Sequence, residues 1–174
     1  FYAAAIALVS VLLLGILQGV LLAAIASIFL LLARASRPNV AFLGRLPGTG
    51  RYSDRARHED VEALAGIIAF RPEASLLYIN AETILDLVLN ALAGSTDIQL
   101  VACDLSASPY IDLAGARMLH ELSDELASRQ IAFCIVGAHA QLRDLLRAEG
   151  LADKTDSGAW LRSLDSVLGE SADR

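Results

Sequence analysis

The chain has 174 residues, room for one ordinary domain. Its formal net charge is −6, and its 14 Lys and Arg residues form no run against 20 acidic ones, so nothing suggests the basic face on which nucleic acid binds. The hydrophobic content of 55% is high for a globular protein, but the excess sits mostly in the first 33 residues, and the remainder has the composition of a water-soluble domain.

Residues 1–33 carry no Asp, Glu, Lys or Arg. An uncharged apolar stretch of that length belongs in lipid rather than in the core of a small soluble domain. It is about twice as long as the apolar region of a signal peptide, no basic segment precedes it and its first residue is Phe, so a segment from within a longer membrane protein is expected. As one helix it would extend about 50 Å, against a hydrocarbon layer of about 30 Å. A break is therefore expected at Gly15-Ile16-Leu17-Gln18-Gly19, where two glycines and the only amide of the run interrupt the leucines. The result is a broken transmembrane hairpin with Gln18 buried against protein; the alternative is one long tilted helix. Arg34, Arg37, Arg45 and Arg51 follow the run closely, which by the positive-inside rule turns this end toward the cytoplasm.

Residues 34–39 read as a linker in which Pro38 ends helical structure. A soluble domain is expected over 40–170, with a tail at 171–174. Within it, 40–46 reads as a strand, 47–50 as a turn and 51–60 as an exposed charged loop. Two further strands, 64–70 and 75–79, are expected to form a hairpin through Arg71-Pro72-Glu73-Ala74. Ile84, Leu85, Val88, Leu89 and Leu92 then repeat at helical spacing up to Gly94, and 98–103 is a strand. Met118, Leu119, Leu122 and Leu126 mark a second helix, 131–136 a strand, and Leu142, Leu145 and Leu146 a third helix ended by Gly150. A fourth helix, marked by Trp160, Leu161, Leu164, Val167 and Leu168, is expected to end at Gly169. Such alternation after a hairpin implies an α/β domain with a mixed, partly parallel sheet and flanking helices. Cys103 and Cys134 each lie in an apolar strand and read as reduced core thiols, in keeping with a reducing cytoplasm.

The junction most able to carry function is Asp104-Leu105-Ser106-Ala107-Ser108-Pro109-Tyr110-Ile111-Asp112-Leu113-Ala114-Gly115. It leads from the carboxyl end of a buried strand into a helix whose expected N-cap is Asp112. The helix start offers unpaired backbone N–H groups, and Gly115 leaves room for close approach by another chain or a ligand. Together these features describe a docking or regulatory surface.

Asp104-Leu105-Ser106, then Ile111-Asp112 and Gly115, placed between a strand and a helix, resemble the signature of the STAS domain, which bacterial anti-sigma-factor antagonists and sulfate permeases share. Residues 1–33 resemble the last two membrane helices of the sulfate permease (SulP) family. Ala35-Ser36-Arg37-Pro38, Leu43-Gly44-Arg45-Leu46-Pro47 and Arg51-Tyr52-Ser53-Asp54 are similar to that family's link into the domain. The resemblance implies a secondary anion transporter, often for sulfate, that spans the inner membrane several times and carries its STAS domain in the cytoplasm. The partners it implies are the remaining transmembrane helices, a second copy in a homodimer, membrane lipid and a cytoplasmic regulatory protein. It places the anion site among helices outside this chain, so no substrate-binding residue is assigned.

In the antagonist branch a phosphorylatable Ser directly follows the Asp of the helix start. Leu113 stands there, with Ala114 beside it, so the usual switch is absent. Ser106 and Ser108 read either as phosphosites or as turn-forming and capping residues. The candidate docking set is thus Ser106, Ser108, Asp112, Leu113 and Gly115.

No catalytic, cofactor or metal site is expected. The glycines at 44–50 lack the Lys-Ser/Thr of a phosphate loop, and Ser53 occupies the place of the third glycine of a dinucleotide fingerprint. His58, His120 and His139 are widely spaced, and no Cys or His lies at zinc spacing from another. His120, Ser123 and Asp124 on one helix cannot alone form a nucleophile, base and orienter. Asp104 and Ser106 would need a second carboxylate or a metal for hydrolysis. Two readings follow: the end of an anion transporter whose STAS domain folds, positions or regulates the membrane unit, and a membrane-anchored STAS signalling module without transport.

Overall fold

The computed structural model describes residues 4–5, 11, 15–49, 51–57 and 60–172. They divide into two compact units, before and after the Arg37–Pro38 junction.

In the first unit, helix α1 spans Ile16–Ala35, 20 residues or about 30 Å, long and apolar enough to cross a membrane. Gly15, within the stretch where a break is expected, is the N-cap of α1. Its φ of 89° lies in the region that L side chains avoid, which requires glycine there. Gly15 N–H donates to Val11 O at 3.1 Å, and Gly15 O accepts from Gly19 N–H at 2.9 Å. Gly19 is the buried residue of α1. A Cβ there would lie 2.5 Å from Val11 Cγ2, so the close approach of Val11 depends on the missing side chain. Gln18, expected to be buried, is exposed instead. Successive helical residues are turned about 100° apart, and a contact centred on Gly19 leaves Gln18 to one side. Most of the expected hairpin's first arm lies outside the described residues. α1 itself continues to Ala35, into the expected linker at 34–39.

The second unit runs β1 (Val40–Arg45), β2 (Tyr52–Asp54), β3 (Ile67–Pro72), α2 (Ala81–Ala93), β4 (Leu100–Asp104), α3 (Leu113–Ser128), β5 (Ala132–Val136), α4 (Ala140–Ala148), two single turns (Leu151–Asp153 and Ala159–Leu161) and α5 (Leu164–Ala172). The sheet order is β2-β1-β3-β4-β5. β1 is antiparallel to both β2 and β3, whereas β3, β4 and β5 are mutually parallel, which is the mixed sheet that the alternation implies.

Alternation along the strands sorts the side chains onto two faces. Ile68, Phe70, Val101, Cys103 and Ile135 meet Ile84, Val88, Leu119, Leu122, Leu142 and Leu146 from α2, α3 and α4. On the other face Ala69, Ala102 and Cys134, neighbours in register across three strands, form a low surface under Leu164 and Leu168 of α5. Trp160 is fully buried, and its indole N–H donates to Thr155 Oγ1 at 3.1 Å.

Three expectations are corrected. Residues 75–79 form no strand: only Leu76 bridges, to Ile111, and the Asn80 amide closes a turn by accepting from Leu77 N–H and donating to Ser75 O. The hairpin is instead β1–β2, because part of the expected loop at 51–60 pairs along the edge of β1. The last helix is split at Arg162, whose backbone is extended, and α5 continues through Gly169. Carbonyls of Trp160 and Arg162 accept from Ala138 and Gly137 N–H, so this segment follows the exit of β5 rather than coiling.

Candidate docking site at the start of helix α3

The site is built on the carboxyl end of β4. Asp104 is nearly buried; its Oδ1 accepts from Ser106 N–H at 3.0 Å, and Arg71 Nη1 lies 3.7 Å from Oδ2. The loop is then drawn inward. Leu105 N–H donates to Val136 O at 2.9 Å, and the fully buried Ser108 donates its hydroxyl to Pro72 O at 3.1 Å. Tyr110 O accepts from Leu76 N–H, and Asp112 N–H donates to Leu76 O, both at 3.0 Å. This short parallel bridge ties residue 76 to the loop and so fixes where α2 starts.

Asp112 joins the two helices. Its backbone is extended, its Oδ1 accepts from Gly115 N–H at 2.9 Å as the N-cap of α3, and its Oδ2 accepts from Tyr78 N–H at 2.9 Å. One carboxylate thereby satisfies a donor at the positive end of α3 and a second donor just before α2. A Cβ on Gly115 would lie 2.7 Å from Leu76 O and 2.9 Å from Ile111 Cγ1. The space expected there for another chain or a ligand is thus filled by this chain's own residue 76.

The candidate residues separate accordingly. Ser106 and Leu113 are at the surface, Leu113 being 44% exposed. Asp112 is half-buried with both oxygens engaged, and Gly115 and Ser108 are inside. Ser108 is therefore closed to a kinase, because its hydroxyl caps β3 at Pro72; Ser106 keeps an exposed side chain.

Sequence reasoning missed the opposite wall. Tyr78, Glu82, Leu85, Asp86 and Leu89 of the α2 region face Asp112, Leu113, Arg117, Met118 and Glu121 across an open groove of about 810 Å³. Leu85 and Leu89 are four apart and lie beside the core stripe of Ile84, Val88 and Leu92, a second apolar line that marks a helix with more than one contact face. Arg117 Nε lies 3.5 Å from Glu149 Oε2 at one border of the groove.

Other ionisable groups have structural settings. Ser123 is buried while His120 and Asp124 pair at 3.3 Å beyond it, so the three residues do not converge. A hydrogen bond from Lys154 holds the Asp124 carboxyl below its ordinary range. Burial raises the Cys103 thiol well above its ordinary value and raises Cys134 to about 11. Among the described residues no three His, Cys, Asp or Glu side chains are grouped to hold a metal ion; His58 lies outside them.

The model of the STAS domain matches residues 59–163, which includes the whole Asp104–Gly115 junction. The chain belongs to the STAS domain family. Beyond the domain itself, it is 30% identical over 142 residues to a Mycobacterium tuberculosis protein named "Probable sulfate transporter", a match that covers 81% of this chain and 25% of that protein. The chain thus spans about a quarter of the length of the curated relatives it matches. Its fold matches that of the murine Slc26a9 anion transporter with a TM-score of 0.84 at 19% identity, over 98% of this chain and 28% of the transporter. The unphosphorylated anti-sigma factor antagonist SpoIIAA shares the fold at a TM-score of 0.53 and 11% identity, over 62% of this chain and 90% of that one. These matches agree with the resemblance of the chain to the C-terminal part of a SulP-type protein.

Proposed function

We propose that the chain is the C-terminal part of a multi-pass secondary anion transporter of the SulP type. α1 belongs to its membrane unit, and the STAS domain, on the cytoplasmic side, folds, positions or regulates that unit through protein contacts. The observation that carries this reading is one of order: an apolar helix of spanning length precedes a STAS domain, and a single match to a named sulfate transporter extends over 81% of the chain. Sulfate, or an oxyanion of similar size and charge, is the substrate class, and a homodimer with the remaining membrane helices is the working assembly.

The STAS surface that makes contact is the start of α3. An exposed Leu113 at the positive end of a helix held rigid by Asp112 suits packing against a partner, and the absence of a hydroxyl at position 113 makes such packing independent of phosphorylation there.

Replacement of Leu113 by Glu in the complete transporter, read as labelled sulfate uptake per amount of membrane-inserted protein, tests the proposal. Uptake is expected to fall several-fold with the domain still folded, because a charge is placed in an apolar contact. Wild-type uptake would remove the start of α3 from the mechanism. A membrane-anchored signalling module is the second reading, favoured by the coverage of 90% of SpoIIAA by the same fold. That module would move no sulfate in any variant.

A further inference from the structure

The groove between α2 and α3 carries a charge that its own packing does not use. Leu85, Leu89 and Leu113 give it an apolar lining, while Glu82, Asp86 and Glu121 stand exposed along it. None of these three carboxylates pairs with a cation among the described residues. Arg117, the cation among the lining residues, is engaged by Glu149, and the oxygens of Asp112 are taken by backbone N–H groups.

Helical spacing orders the charge. Glu82 and Asp86 are one turn apart on α2, as are Leu85 and Leu89, so the wall presents two acids alongside two leucines. Like charges at that spacing repel by a few tenths of a kcal/mol, a cost that two cations on a bound segment would relieve. An anionic lipid surface or a nucleic acid would add to the repulsion instead.

We propose that this groove receives a cationic amphipathic helix of a partner protein. An aliphatic side chain of that helix would sit among Leu85, Leu89 and Leu113, and Lys or Arg residues one turn apart would meet Glu82 and Asp86. The inference rests on the reading of the α3 start as the docking face and adds the chemistry of what docks.

The test uses the whole chain in phosphatidylcholine nanodiscs. It is titrated with a fluorescent amphipathic peptide of Leu and Lys, about 14 residues or four turns long, and with a counterpart carrying Glu for Lys; empty nanodiscs correct for binding to lipid. The Lys peptide is expected to bind at least about ten-fold tighter than the Glu peptide and to weaken as salt rises from about 0.05 M to about 0.5 M. E82K/D86K should lower the affinity at least about ten-fold and the neutral E82Q/D86Q several-fold, whereas D153K/D165K, away from the groove, should leave it within about two-fold. Equal binding of the two peptides, or an equal loss in D153K/D165K, would overturn the proposal. L113N separates the two claims. If L113N weakens binding and E82K/D86K does not, the docking face stands and the cationic partner falls; if neither weakens it, both fall.

Discussion

Asp112 shows how much one side chain can organise. Its two oxygens accept N–H groups from Gly115, at the start of its own helix, and from Tyr78, 34 residues before it in sequence, and so fix the start of α3 against the approach to α2. Asp112→Ala should therefore cost more than an isolated helix cap, whose loss is about 1 kcal/mol and up to about 2. The check is a denaturant midpoint that falls with an unchanged slope; an unmoved midpoint would mean that the two bonds contribute nothing. Gly115→Ala is expected to destabilise as well, although Ala is favoured over Gly inside helices by about 1 kcal/mol, because the added methyl would meet Leu76 O at 2.7 Å. A rise in melting temperature would contradict that steric account. The cap was legible from an acid standing just before a run of helical periodicity. The tether to Tyr78 was not, because nothing local marks a partner so far along the chain. Ser106 and Ser108 looked alike for the same reason: only the fold brings Pro72 O to Ser108 and leaves Ser106 outside.

At the scale of elements, those held by their own periodicity were legible, and those held by a neighbour were not. Helices α2, α3 and α4 carry the 3.6 pattern strongly, and strands β4 and β5 are continuous apolar runs of strand length. The three residues of β2 exist because β1 offers an edge, and 75–79 is pulled from strand into turn by the Asn80 amide. The wall of the groove followed that second error, since the start of α2 could not be placed. Burial of a cysteine on each face of the sheet also sets a chemical property. With Cys134 raised to about 11 and Cys103 higher than usual, the folded chain keeps both thiols protonated where an unfolded chain ionises them, near pH 9. The unfolded state then binds fewer protons, so stability falls as pH rises above about 9, by at most about 1.4 kcal/mol per unit for each thiol, until Cys134 ionises in the fold near 11. Denaturation midpoints for Cys134→Ala against the parent chain between pH 8 and 10.5 check this; parallel profiles would show that the thiol does not contribute. In α1, Gly19→Leu should disrupt the contact with Val11, because a side chain there begins 2.5 Å from Val11 Cγ2. Faster proteolysis of the first unit in detergent is the expected readout, and an unchanged rate would contradict it.

For the whole molecule, the order of parts was the clearest message of the sequence. A run of 33 uncharged residues, then arginines, then an alternating α/β pattern can be read without any tertiary knowledge, because lipid, headgroup and water select composition directly. The positive φ of Gly15 at the start of α1 fits the same sequence logic, since glycine is where a chain bends at least cost. The groove between α2 and α3 was much less legible, because its walls are two helices that meet only in the fold.

The central claim is that the STAS domain works as part of an anion transporter. Labelled sulfate uptake by the complete transporter, compared with the same protein lacking residues 38–174 at matched membrane levels, tests it most directly. Saturable uptake by the complete protein that is lost or strongly reduced on removal of the domain is the expected result. No uptake by the complete protein for sulfate or any similar oxyanion, or full uptake without the domain, would contradict it.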